Sequence, residues 1–460
     1  MDYYNKIIKD YEICEDLIVK EINKIYIIYL ESLVDQTKVN DYILKQLVNT
    51  HSFNINKIPS PNVKKIKDYQ ELLLYLNSGF TIILNEDTYA IETKSNLSRA
   101  IDTPNTEATI FGPKDSLTEN YQINLGLIKR RIKSPNLKNK TIYLGRYTKT
   151  LSSILYIDSI TKIDTVKKIE QKLKKIDIDG INDITELKKY LNDENKNVFP
   201  SIKLTERPDV ITEALLEGKV VILLDNSPYA LILPAFLVDF INPISDRYIK
   251  SININFLKIL RFFCFFLAII LPAFYIAITT YNQETIPSNL LINFQKQRID
   301  VPFPAFLECI LTLLICEILR ESDVRFPSNY GSAISILGAL VLGEADVSAG
   351  FVSPIMIIIV AITFISSLLF TDLEIINAIR AWRVIFLLLS AIYGLYGVGI
   401  AFIFFIINIT SYTPFNLPYF YPISPFDLTY IKETIFKMKN NKRSKVLSNN
   451  ITKGNLWEKK

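Results

Sequence analysis

What most constrains this chain is a set of uncharged runs confined to its second half. Residues 262–281 supply twenty positions without a charged side chain, which as a helix is about 30 Å, the thickness of a bilayer's hydrocarbon core. Residues 347–371 supply twenty-five, and 384–426 supply forty-three, of which 384–409 is the apolar part. Residues 1–255, by contrast, are rich in Lys, Asn, Asp and Glu and have only short apolar runs. The expected organisation is an α/β region that folds in water, 1–255, followed by an α-helical multi-pass membrane domain, 256–426, and a basic tail, 427–460.

Carboxylates inside the apolar half are the informative exceptions. Glu308 and Glu317 lie in the span 301–319, where an ionised side chain at the bilayer centre costs about 2.5–3.5 kcal/mol. A membrane helix carries that cost only with compensation. Protonation, an interhelical hydrogen bond, an arginine partner and a polar path that conducts all remain open on the residues alone.

The N-terminus is charged throughout and lacks the apolar core of a secretory signal, so the first 255 residues are expected in the cytoplasm. Lys250, Lys258 and Arg261 before the first span agree with the positive-inside rule. The tail from Tyr430 carries nine Lys/Arg against Glu433 and Glu458, which suits the cytoplasmic face beside anionic headgroups and not nucleic acid. With both ends inside, crossings must be even, yet there are five candidates: 256–281, 301–319, 326–343, 347–371 and 384–409. Residues 326–343, short and carrying Ser332 and Ser335, are expected to be re-entrant. That choice leaves Arg380 and Arg383 on the outer side, against the same rule.

Catalytic chemistry finds little support. His51 is the sole histidine, and the four cysteines, Cys14, Cys264, Cys309 and Cys316, suggest small core residues and no disulfide framework. A zinc site or a Ser-His-Asp triad is not expected, nor a Gly-rich phosphate loop, a cofactor or an enzyme activity.

The soluble half repeats itself. IIYLESLVDQTKVNDYI, from Ile27, echoes ILYIDSITKIDTVKKIE, from Ile154, each reading as a buried strand and then a helix. GFTIILNEDTYAI, from Gly79, echoes GKVVILLDNSPYALIL, from Gly218, each reading as a helix stop and two strands around a short turn. Two related subdomains, 1–140 and 141–255, are the expectation.

Two polar motifs accompany the repeat. Lys129, Arg130, Arg131 and Lys133 form a basic cluster that reads either as a solvated face or as a contact to headgroups or a partner. Thr205, Glu206, Arg207, Pro208 and Asp209 open a helix, with Pro208 preset for its first turn and Asp209 complementing its N-terminus. Arg207 is then a candidate ion-pair partner in a fixed interface.

The series GPKDSLTENYQINLGLIKRRIKSPNL, FPSIKLTERPDVITEALLEGKVVILLDNSPYALILP, LPAFYIAITTYNQETIP, VPFPAFLECILTLLICEILRESDVRFP, GSAISILGALVLGEADVSAGFVSP and PFNLPYFYPISP closely resembles the GerA family. Its members are the A subunits of germinant receptors in the inner membrane of bacterial endospores. The likeness runs from about Ile25 to Pro425. It implies a nutrient-sensing receptor that triggers cation release, with a transporter-like B subunit and a lipoprotein C subunit as partners. It also implies oligomerisation of the A subunit into an ion-conducting part, with Glu308 and Glu317 matching an acidic motif and Thr205 to Asp209 a cytoplasmic one. A non-conducting scaffold and a secondary transporter stand as alternatives. The chain departs from the family in reading Gly-Glu-Ala-Asp-Val where Gly-Gln-Ala-Ala-Val is usual. The extra acids, Glu344 and Asp346, form an acidic ring if that segment lines a conducting route and are merely solvated at a bilayer surface.

Overall fold

The computed structural model describes residues 2–50, 58–60, 62–85, 87–95, 107, 112–192, 197–248, 251–325 and 346–426. Its N-terminal region contains two five-stranded antiparallel sheets. The first unit comprises α1 (Asp2–Asp10), β1 (Leu17–Ile22), β2 (Ile25–Leu30), α2 (Gln36–Val39), a π-helical turn (Asn40–Leu44), α3 (Lys45–Thr50), β3 (Val63–Lys65), α4 (Tyr69–Leu76), β4 (Phe80–Leu84) and β5 (Thr88–Glu92). The second comprises α5 (Tyr121–Arg131), β6 (Leu137–Leu144), β7 (Thr150–Ile157), α6 (Ile163–Lys175), α7 (Ile184–Asn192), β8 (Lys203–Thr205), α8 (Pro208–Leu216), β9 (Val220–Leu224) and β10 (Ala230–Leu233). Strand orders are β1-β2-β4-β5-β3 and β6-β7-β9-β10-β8. Counting strands from the start of each unit, the two orders are identical, so the sequence repeat is a repeat of topology.

The central strands are unbroken apolar runs because both faces of each sheet are covered. In β9, Val220, Ile222 and Leu224 enter one core with α6 and α7, while Val221 and Leu223 enter another with α5 and α8. The first sheet repeats this, with α1 and α4 against Ile28, Leu30 and Ile82, and the segment α2 to α3 against Ile27, Tyr29 and Ile83. Alternation along a strand thus distributes residues between two cores and not between core and solvent. The helix stops expected at Gly79 and Gly218 occur at φ +83° and +87°, where a side chain is strained.

The division expected at residue 140 falls inside β6. Tyr121, Leu125 and Ile128 of α5 pack with Leu155 and Leu223 of the second sheet. Helix α5 holds the place before its sheet's first strand that α1 holds in the first unit. Nothing in composition marks that change of body.

After α9 (Leu237–Ile241) the chain becomes helical: α10 (Ser251–Thr280), α11 (Ser288–Arg298), α12 (Ala305–Arg325), a single turn (Asp346–Ser348), α13 (Pro354–Leu368) and α14 (Leu373–Ser411). Among the described residues, 254–280 and 373–411 are long and apolar enough to cross a membrane. Residues 326–345, expected as a re-entrant segment, and the tail 427–460 lie outside the described residues.

Helix α14 is not one rod. Gly394 leaves helical geometry at φ 57° and ψ −136°, and the rings of Trp382 and Phe405 come within 5.1 Å, where a straight helix would separate them by about 34 Å. The segment 384–409, expected as one crossing, therefore turns back on itself. Its arms, 373–393 and 395–411, are about 31 and 25 Å long. A Cβ on Gly397 would lie 1.9 Å from the Leu389 carbonyl oxygen, so the arms touch backbone to backbone. Tyr281, just beyond α10, donates its hydroxyl to the Ala391 carbonyl at 2.6 Å beside the turn.

Both ends of this hairpin return to the second subdomain. Glu374 pairs with Lys188 of α7 at 2.9 Å. Beyond the second arm, Tyr419 accepts from the Leu237 amide at 3.4 Å and packs against Phe199.

Candidate functional site

Glu308 and Glu317 sit on one helix, yet the fold puts them in separate clusters. Glu308 is fully buried and accepts from the Ser353 amide at 2.7 Å and the Ser353 hydroxyl at 2.5 Å. Its other oxygen lies 3.8 Å from Arg298 at the end of α11. Ser353 is the N-cap of α13, placed there because Pro354 occupies the first helical position, where its missing N–H costs nothing.

Glu317 lies nine residues, about 13.5 Å, further along α12 and faces three arginines. Arg380 approaches at 2.6 Å, Arg320 at 3.6 Å and Arg383 at 3.9 Å. Arg320 also donates to the Ser367 hydroxyl at 2.6 Å, and Arg383 to the Ala268 carbonyl of α10 at 2.7 Å. Four helices thus contribute to one charged layer. Of the compensations open to an embedded carboxylate, each glutamate takes basic partners, and Glu308 adds hydrogen bonds. Arg380 and Arg383, three apart on one helix face, lie about 10 and 15 Å from the start of α14, the end that meets the second subdomain.

Glu344 lies outside the described residues, as does the side chain of Asp346, whose backbone begins the single turn before α13.

The motif from Thr205 to Asp209 is a buried junction. The Thr205 hydroxyl donates to the Glu107 carboxylate at 2.6 Å, and the Glu206 carboxylate accepts from the Glu107 amide at 2.9 Å. Arg207, 1% exposed, is held by Asp209 at 2.7 Å and by the carbonyls of Glu107 and Pro113 at 3.2 and 3.3 Å. Asp209 also accepts from the Tyr248 hydroxyl at 2.9 Å, just before α10. Burial pushes the Glu107 carboxyl up from its ordinary range. Burial, with the bond to Asp209, pushes the Tyr248 phenol up to about 12.

The basic cluster divides. Lys129, Arg130 and Arg131 occupy the last turn of α5, where cations complement the helix dipole. Lys129 is buried against Asp16 of the first unit at 2.5 Å, and Arg131 pairs with Asp115 at 2.6 Å. Arg130 and Lys133 are exposed and line a cleft of about 620 Å³ between the subdomains, with Lys64, Lys94 and Glu92. Among the described residues no group of three His, Cys, Asp or Glu side chains could hold a metal ion.

Sequence reasoning missed Ser353 and Arg298 as partners of Glu308. The Ser-Pro pair was a legible helix start, but its meeting with Glu308 depends on how α12 packs against α13.

The family profile described as Bacillus/Clostridium GerA spore germination protein matches residues 4–447. Spore germination protein KA of Bacillus subtilis (strain 168) is 36% identical over 442 residues, covering 92% of this chain and 81% of that one. Spore germination protein GerLA of Bacillus cereus is 31% identical over 441 residues, covering 92% and 90%. A crystal structure of the N-terminal domain of the A subunit of the Bacillus megaterium spore germinant receptor GerK3 is similar at 26% identity, over 52% of this chain and 95% of that one, with a TM-score of 0.39. A match along nearly the whole chain, with both subdomains and the helical region inside it, means that this protein belongs to the GerA family of spore germination proteins.

Proposed function

We propose that the chain is the A subunit of a nutrient germinant receptor, set in the spore inner membrane by its helical domain and coupling nutrient sensing to cation release as an oligomeric ion-conducting part. The observation that carries this reading is family membership along nearly the whole chain, joined to Glu–Arg pairs packed between apolar helices. Its partners are a transporter-like B subunit, a lipoprotein C subunit, further copies of itself and membrane lipids.

The hairpin supports a topology free of the conflict met in the sequence. Helix α10 leaves the second subdomain and α14 returns to it, so crossings are even, and the subdomains and tail share the cytoplasmic side. Arg380 then lies in the half of its arm nearer the cytoplasmic face, so its charge no longer opposes the positive-inside rule. The motif from Thr205 to Asp209, joined to Tyr248, is a rigid junction through which the soluble region holds the start of α10.

A second reading, a non-conducting scaffold that relays the signal, is favoured by the closure of Glu308 and Glu317 within the chain. The test is cation flux from vesicles reconstituted with the purified chain. The conducting reading expects flux that falls at low salt when Glu344→Gln and Asp346→Ala are combined, because exposed charges act over about 8–10 Å near physiological salt and farther below it. No flux from chain inserted in the vesicles leaves the scaffold.

A further inference from the structure

The layer around Glu317 holds more positive than negative charge. Among the described residues, Glu317 is the one carboxylate within ion-pair distance of Arg320, Arg380 and Arg383. Among the described side chains, three guanidiniums against one carboxylate leave two positive charges unmatched, between helices whose outward residues are apolar. Arg320 and Arg383 are 8% and 3% exposed, and Nε and Nη1 of Arg320 and Nη2 of Arg383 are buried without a hydrogen-bond partner. Buried charge is retained only where something matches it.

The cluster opens where Arg380 meets Glu317, whose side chain is 26% exposed. Arg380 is 33% exposed and its Nε is likewise unpartnered. It lies seven residues into the first arm, about 10 Å from the start, a depth within reach of a headgroup in the adjoining leaflet. Leu314, Ile318 and Val384, exposed on the same helices, suit acyl chains alongside. Guanidinium forks match the oxygens of a phosphate better than any other side chain.

We infer that Arg320, Arg380 and Arg383 seat the phosphate of an anionic phospholipid from the leaflet nearest the subdomains, with Glu317 as the internal anion that it competes with. This rests on the membrane reading above. The lipid's negative charge offsets one of the two unmatched positive ones, and its chains cover the apolar surface beside Arg380. A free phosphate offers the same oxygens without the chains.

The full-length chain, purified in neutral detergent, is titrated with dioleoylphosphatidylglycerol, dioleoylphosphatidylcholine or inorganic phosphate while its melting temperature is followed. Phosphatidylglycerol is expected to raise it at the lowest concentration. Arg380→Gln is expected to weaken that effect about five-fold, corresponding to the ~1 kcal/mol that one basic residue contributes near an anionic membrane surface. Arg380→Lys, which keeps the charge, should retain most of the effect, and Glu317→Gln, which removes the competing anion, should strengthen it. Equal stabilisation by phosphatidylcholine or by inorganic phosphate overturns the assignment, as does an unchanged response in Arg380→Gln. Loss of a higher oligomer in Arg380→Gln without any lipid response reassigns the cluster to a contact between copies. Release of the chain from vesicles by alkaline carbonate would instead sink the membrane reading, whereas a carbonate-resistant chain indifferent to phosphatidylglycerol sinks only the lipid site.

Discussion

Lys129 Nζ lies 2.5 Å from Asp16 Oδ1 across 113 residues of chain, with both side chains buried. The pair joins the last turn of α5, in the second unit, to the segment before β1 in the first. The Ser32 hydroxyl donates to the same carboxylate at 2.7 Å, and Cys14 bridges Asn139 nearby. Removing one member of such a pair strands the other as a buried charge. Lys129→Met is expected to destabilise fragment 1–255 by about 3–5 kcal/mol. Combining it with Asp16→Asn should cost less than the two single changes together, which denaturant unfolding of the four proteins would measure.

Three glycines in one apolar run provide an internal control on the hairpin. A Cβ on Gly394 would lie 2.7 Å from Tyr281 Cβ at a backbone angle of φ +57°, one on Gly397 would lie 1.9 Å from the Leu389 oxygen, and one on Gly399 would meet nothing within 4 Å. Gly394→Ala and Gly397→Ala should therefore deplete the protein from membranes, and Gly399→Ala should not. Immunoblots of membrane fractions decide it, and a straight crossing would make all three equally mild.

Arg207 has no slack. Arg207→Ala takes from Asp209 its buried ion-pair partner and from two carbonyls the bonds of the guanidinium, and is expected to cost about 3–5 kcal/mol in the thermal or chemical unfolding of fragment 1–255. Tyr248→Phe removes one hydrogen bond to a charged group, about 1.5–3 kcal/mol.

Glu107 gives that junction a pH signature. Its carboxyl holds a proton to higher pH when folded than when unfolded. Stability from this group is therefore full below the ordinary glutamate range and is lost as pH rises through the raised value. Glu107→Gln should gain in melting temperature relative to the parent between pH 5 and 8. A difference that stays constant or moves the other way refutes the shift.

Glu308→Gln keeps an acceptor for Ser353 while removing the charge, whereas Glu308→Ala removes both. The glutamine variant is expected to impair germination more than it lowers the amount of subunit, and the alanine variant to lower both. Equal loss of protein in both would make Glu308 a packing residue alone.

Much of the fold was legible because the central strands are continuous apolar runs and the repeats carry their turns with them, as Gly79 and Gly218 do. The start of the second unit was not, since α5 looks the same whichever sheet it covers. The reversal at Gly394 was hidden for a related reason: both arms are apolar, and the three glycines differ only in what surrounds them. Glu317 and Arg320 reveal themselves by helical spacing, as do Arg380 and Arg383. That the two pairs meet depends on how α12 packs against α14, which spacing within one helix does not encode.

The grip of the second subdomain on both ends of α14, through Lys188 with Glu374 and Leu237 with Tyr419, makes the hairpin a bracket bolted at two points to a single plate. The arms cannot slide past each other without one bolt shearing, so their natural response to a shift of the plate is to swing together. A tilt of ~5° at the base carries the tip, ~30 Å away, through ~2.6 Å. Mechanical advantage of that kind turns a small adjustment of the second subdomain into a displacement beside Tyr281 at the opposite end.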